Sequence, residues 1–237
     1  MEKEALQERK VFLASFLVAG FFMKIVAEFV HEVCGHGFFV WLFGGEITSV
    51  YISLLWPYEL SYISWALPNT VTSIQRAWIY AGGILVCLGA SFLTQAFLFM
   101  KRKIHWRVAI TLFWFAFWTL VNSTGYLLIG GLESFGDVYE LIELGVLTSI
   151  LSLTAGFIMF VTGFVALSWI LRRTLIHVFP FKKACLGVTL FWLIIPALVM
   201  VMLANPERGL QWYYLPLTFT PTLLSLLMEY FLALSKR

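Results

Sequence analysis

The chain has 237 residues, of which 61% are hydrophobic and 12% charged, with a formal net charge of +3. A soluble domain carries about 25% charged residues, so this composition excludes an ordinary water-soluble fold and implies an integral membrane protein. The basic residues cluster beside apolar runs rather than in a patch of their own, which argues against a nucleic-acid partner.

The polar start MEKEALQERK precedes an apolar run. No small-residue cleavage site follows that run, so it is expected to stay as a membrane span rather than to leave as a signal peptide. A span needs roughly 20 apolar residues, and the first covers about 11–31, continuing as helix towards 43. Gly44-Gly45 can end that helix, and the β-branched run in GGEITSVYISLLW predicts a short strand. The stretch PYELSYISWALPNT is rich in aromatics and proline and is expected to lie at the membrane interface. Further spans are expected at 77–100, 108–131, 146–171, 184–204 and 212–234. The fold class implied is an all-α polytopic membrane protein with six transmembrane helices and a short β-strand or interfacial segment after the first. No polar block is long enough for a second domain, so 1–237 reads as one transmembrane domain.

Cationic residues sort between the ends of these spans. Lys3, Arg9 and Lys10, then Lys101, Arg102, Lys103 and Arg107, then Arg172, Arg173, Lys182 and Lys183, then Lys236 and Arg237 fall on one side. Arg76 and Arg208 fall on the other, with Lys24 inside a span. The positive-inside rule places both termini in the cytoplasm, and the expected location is the plasma membrane of a prokaryote. The opposite side is acidic, with Glu46, Glu59, Glu133, Asp137, Glu140, Glu143 and Glu207. Cys34, Cys87 and Cys185 lie in separate apolar segments, which predicts free thiols rather than a disulfide framework.

The first span carries a polar stripe. Lys24, Glu28, His31 and Glu32 are spaced i, i+4, i+7 and i+8 and share one helical face. Ionisable groups inside a bilayer are costly; they face the bundle interior, pair, and mark functional paths. His31-Glu32 with His36 invites a metal reading, but the motif of zinc proteases places its histidines at i and i+4. Here the second histidine comes at i+5, about 140° round a regular α-helix. A π-bulge absorbs one extra residue and tends to occur at functional sites, and Gly35 and Gly37 would ease it. A third ligand is available in LVNSTGYLLIGGLESFGDVYELI, where Asp137 is expected on the same side as His31 and His36. Capping a helix that begins at Val138 is an equal reading for Asp137. Other readings stay open too: a histidine bonded to Glu28 for His31, helix–helix glue for Asn122, and packing or a metal-adjacent thiol for Cys34.

At these residues the chain resembles the site-2 protease family of intramembrane zinc metalloproteases. HEVCGHGFFVWLFGGEITSV is similar to the family's first block, AWIYAGGILVCLGASFL to its second, with Gly83 where proline is common, and LVNSTGYLLIGGLESFGDV to its third. The resemblance covers roughly 20–140, with a protease-like core at about 11–145. It departs from the family pattern in HExxxH for HExxH and in the valine that follows Asp137. The charge count also places the motif at the outer end of the spans, whereas better-known members hold the metal nearer the cytosol. What the resemblance implies is Zn2+ held by His31, His36 and Asp137, Glu32 as general base and then acid, and Asn122 on the substrate backbone or oxyanion. Lys24, Glu28 and Cys34 would support the site, and the substrate would be a transmembrane protein or peptide.

Three other functions compete. Glu28-x-x-His31 has the spacing of di-iron helices, although no second such pair is evident in the sequence. The Lys24/Glu28/Glu32 stripe suits an ion- or proton-coupled transporter. A catalytically degenerate relative would bind membrane partners without cutting them.

Overall fold

The computed structural model describes the backbone of residues 2–54, 60–101, 103–133, 135–203 and 214–234. It is helical over 79% of its length. Helix α1 (Glu2–Phe29) runs into a π-helical segment (Val30–Gly37) and a short α2 (Phe38–Leu42). An antiparallel hairpin of β1 (Glu46–Tyr51) and β2 (Tyr62–Ala66) follows, and then α3 (Ser73–Met100), α4 (Trp106–Leu132), α5 (Gly136–Glu143), α6 (Ser149–Ile176), α7 (Phe181–Leu203) and α8 (Tyr214–Leu234).

Among the described residues, four helical stretches are long and apolar enough to cross a membrane: Gln7–Leu42, Ser73–Met100, Trp106–Leu132 and Ser149–Ile176. These correspond to the first four expected spans. The expected fifth and sixth spans fall on α7 and α8, but 204–213, which both expected spans reach into, lies outside the described residues.

Local chemistry sets the element boundaries. Gly44 ends α2 at φ +75°, a left-handed conformation that suits glycine. Thr72 opens α3 through a capping box with Gln75. One reading of the sequence needs correction. The aromatic segment after β1 is not only interfacial, because Tyr62–Ala66 pairs with β1, matching Tyr51 to Tyr62 and Val50 to Ile63, with a bulge between Ile47 and Ser49. The His105 ring accepts a hydrogen bond from the Arg107 N–H and caps α4.

The bundle has two halves. One is filled by an aromatic cluster from α1, α4, α6 and α7, in which Phe12, Phe113, Phe117 and Trp192 are fully buried. In lipid there is little hydrophobic drive between helices, so close approach and hydrogen bonds hold them together. Trp118 Nε1 donates to the Gly20 carbonyl at 2.8 Å, Ser91 Oγ to Ala116 at 2.7 Å, and Ser152 Oγ to Leu127 at 2.7 Å. Glu229 on α8 pairs with Arg172 on α6, at 3.4 Å. The opposite half is formed by the π segment, the hairpin, the first turns of α3 and the α4–α5 corner, and there the polar residues collect.

Candidate metal centre

The π segment answers the spacing objection. A π-helix closes i→i+5 hydrogen bonds, so the two histidines five residues apart stand over one another rather than on diverging faces. His31 and His36 are both buried, at 1% and 3% exposure. Their Nε2 atoms lie 3.3 Å apart. Asp137 Oδ2 is 3.2 Å from the first and 3.3 Å from the second.

These three donor atoms form a nearly equilateral triangle. A tetrahedral ion held at about 2.0 Å from each ligand spaces its ligand atoms about 3.3 Å apart, so the triangle matches one face of such a site. The three side chains are thus placed to hold a metal ion.

Hydrogen bonding supports the same conclusion. His36 Nδ1 lies 2.7 Å from the Ile79 carbonyl, which only accepts, so Nδ1 carries the proton. In neutral His36 the Nε2 lone pair then faces the His31 nitrogen and the Asp137 oxygen. A proton on His31 Nε2 can bridge to the Asp137 oxygen or to His36, and a metal ion at the same point would replace it and take all three donor atoms at once. A ligating histidine that donates its other N–H to a backbone carbonyl is the usual arrangement around a metal. Burial on its own would raise the Asp137 carboxyl, but a charged His36 and hydrogen bonds to both rings outweigh it and hold the group well below the usual carboxylate range.

Three neighbours define the walls. Gly83 on α3 faces both rings; a Cβ there would stand 2.6 Å from His31 Nε2 and 2.7 Å from His36 Nε2. Gly35 on the π segment meets Gly83 so closely that a Cβ on it would lie 2.4 Å from the Gly83 Cα. Tyr126 of α4 stacks on the His31 ring at 4.6 Å between centroids, and Trp65 of β2 lies 6.0 Å from the His36 ring.

Asp137 does not cap α5. The cap position is Phe135, with no side-chain hydrogen bond, and Asp137 sits in the first helical turn with its carboxylate turned to the histidines. Gly136, at φ +57°, makes the turn that places it.

Glu32 is buried beside His31 on the same segment and is electrostatically coupled to His31, His36 and Asp137. Asn122 is buried one turn below Tyr126 on α4. Farther along α1, Lys24 Nζ donates to the Ser53 carbonyl at 2.9 Å, and Glu28 lies close enough to couple with it. Lys24 therefore ties α1 to the hairpin turn as well as facing Glu28. Cys34 is exposed, Cys87 is buried, and none of the three thiols forms a disulfide.

The sequence reading did not single out Tyr126, Trp65 or the Ile79 carbonyl. Tyr126 stands four residues after Asn122, one turn up the same face, and that was the available signal. Trp65 and Ile79 reach the centre through strand pairing and helix packing, which leave no local mark. Comparison with family models, curated proteins and solved structures finds no match for this chain.

Proposed function

We propose that the protein is a membrane-embedded zinc metallopeptidase of the kind its motifs resemble, cutting transmembrane or membrane-proximal segments. The observation that carries this reading is the 3.2–3.3 Å triangle of His31, His36 and Asp137 with a glutamate directly after the first histidine. Two imidazoles and one carboxylate leave a fourth tetrahedral position open, the pattern of catalytic rather than structural zinc. Bound there, zinc would act as a Lewis acid on the scissile carbonyl and bring the pKa of water to about 7.

The chain's own residues carry the proton and the substrate. Glu32 accepts a proton as water adds to the carbonyl carbon, then returns it to the amine nitrogen as the C–N bond breaks. Asp137 would serve as the third ligand and offset part of the cation's charge. Asn122 would offer its amide to the substrate backbone or the developing oxyanion, where such donors are worth about 3 kcal/mol. A helix must unwind before its peptide bonds can be reached. The hairpin, with all of β1 exposed, offers strand edges on which an extended segment can pair.

The direct test is purified protein assayed for metal content and for cleavage of a transmembrane peptide library. Glu32→Gln is expected to keep about one zinc per chain and lose cleavage, and His31→Ala to lose both. Cleavage that survives Glu32→Gln, or parent protein without zinc after zinc-replete growth, refutes the peptidase. The buried line of Lys24, Glu28 and Glu32 leading to the centre favours a transporter as the second reading. Zinc- or proton-driven flux into proteoliposomes, lost in Glu28→Gln, would establish it instead.

A further inference from the structure

The end of the bundle away from the metal centre carries the opposite charge. From Trp106 to Tyr126, beside the centre, α4 rises roughly 30 Å at about 1.5 Å per residue, the thickness of a hydrocarbon core. Around the Trp106 end Lys10, Lys101, Lys103, Arg107, Lys182 and Lys183 are all exposed, and among the described residues there Glu8 is the one exposed carboxylate. Arg172 and Arg173 are already committed within the fold. The first pairs with Glu229, and the second donates to the carbonyls of Phe99 and Lys101 where α3 ends.

Two of the remaining cations are held in place by rings. The Arg9 guanidinium lies 6.0 Å from the centre of the Phe179 ring, and that of Arg107 lies 5.2 Å from the Trp106 ring. Phe12 stands between those rings, 5.5 Å from Phe179 and 5.3 Å from Trp106. Helix α1, the start of α4 and the α6–α7 corner thus meet in one aromatic row with a guanidinium against the ring at either end. Arg9 is half-buried, and its Nε has no hydrogen-bond partner among the described residues. Neither arginine joins an ion pair among those residues. A planar fork of donors whose face rests on an aromatic ring is suited to phosphate.

The surface below the cations identifies the rest of the ligand. Lys10 is followed on its own face of α1 by exposed Leu13 and Leu17, and Lys182 on its face of α7 by exposed Leu186 and Leu190. A phosphate held at this level has apolar surface one turn further in, where acyl chains fit and a soluble polyanion gains nothing.

We propose that this corner is a binding site for an anionic phospholipid, its phosphate held by Arg9 and Arg107 and its acyl chains against the exposed leucines of α1 and α7. Basic clusters at the ends of membrane helices bind acidic headgroups, and the aromatic row fixes this one at a single corner. The site stands independently of the peptidase reading.

The experiment is native mass spectrometry of the purified protein, titrated in detergent with phosphatidylglycerol or phosphatidylcholine of identical acyl chains. One arginine near an anionic headgroup is worth about fivefold in affinity, so the first phosphatidylglycerol is expected to bind about 25-fold tighter than phosphatidylcholine. Arg9→Gln and Arg107→Gln should each cut that ratio about fivefold and together bring the two lipids within about twofold. Arg76→Gln, at the metal end, should leave the ratio as in the parent, as should Lys101→Gln combined with Lys103→Gln, which lie off the aromatic row.

The site is overturned if the parent binds both lipids equally or if the double arginine variant keeps the parent's ratio. It is also overturned if the lysine pair removes as much of the preference as the arginine pair, which would mark a diffuse basic surface. Glycerophosphate competing as well as phosphatidylglycerol would overturn it too, assigning the arginines to a soluble phosphate.

Discussion

Gly83→Ala adds one methyl group at the closest approach of α3 to the two imidazoles. Its Cβ would sit 2.6 Å from His31 Nε2 and 2.7 Å from His36 Nε2, whereas ordinary contact begins at 3.4 Å. The methyl belongs to helical backbone, so the rings or the helix must yield by about 0.7–0.8 Å. Metal sites tolerate about 0.2 Å in ligand position, so the displacement exceeds the tolerance several-fold. Disturbing what orients a ligating histidine typically costs 10- to 100-fold in metal affinity, or about 1.4–2.7 kcal/mol. The assay is zinc affinity by competition with a chromophoric chelator, alongside Gly89→Ala. Gly89 is on the same helix with nothing within 4 Å of its added Cβ, so this control should bind as the parent does. Gly83→Ala binding zinc within twofold of the parent would refute the placement of α3 against the centre.

Tyr126→Phe should retain zinc affinity, since it keeps the ring stacked on His31, while Tyr126→Ala should weaken it about tenfold in the same chelator assay. Lys24→Met should release the hairpin turn from α1. Hydrogen bonds to charged groups are worth about 1.5–3 kcal/mol, so faster hydrogen exchange is expected over residues 52–54 and 60–61; unchanged exchange would deny the tether. Arg172→Leu strands a buried carboxylate and should destabilise the protein by about 3–5 kcal/mol in denaturation, with much of the loss recovered by adding Glu229→Leu.

Much of this architecture could be read from residue order. The first four span positions follow from runs of apolar residues, and the stop at Gly44-Gly45 and the strand after it follow from local chemistry. The His31/His36 pair showed its own difficulty in the sequence, because i+5 fits a π turn and not an α turn. The second strand was concealed by its aromatic content, since Tyr62 and Trp65 suit a membrane interface as well as a sheet. Asp137 was ambiguous for a different reason: a carboxylate at a helix start suits a cap or a ligand equally, and only the three-dimensional turn at Gly136 decides between them. Gly35 and Gly83, 48 positions apart in the chain, become partners only when α3 packs on the π segment. The same holds for Trp65 and Ile79.

The most direct measurement is X-ray absorption at the zinc edge on the purified protein, paired with His36→Ala. The expected spectrum shows four light ligands at about 2.0–2.1 Å with imidazole scattering from two rings, falling to one ring or to no bound zinc in the variant. Protein that holds no zinc, or zinc whose imidazole scattering is unaffected by His36→Ala, would contradict a centre built from the π segment and Asp137.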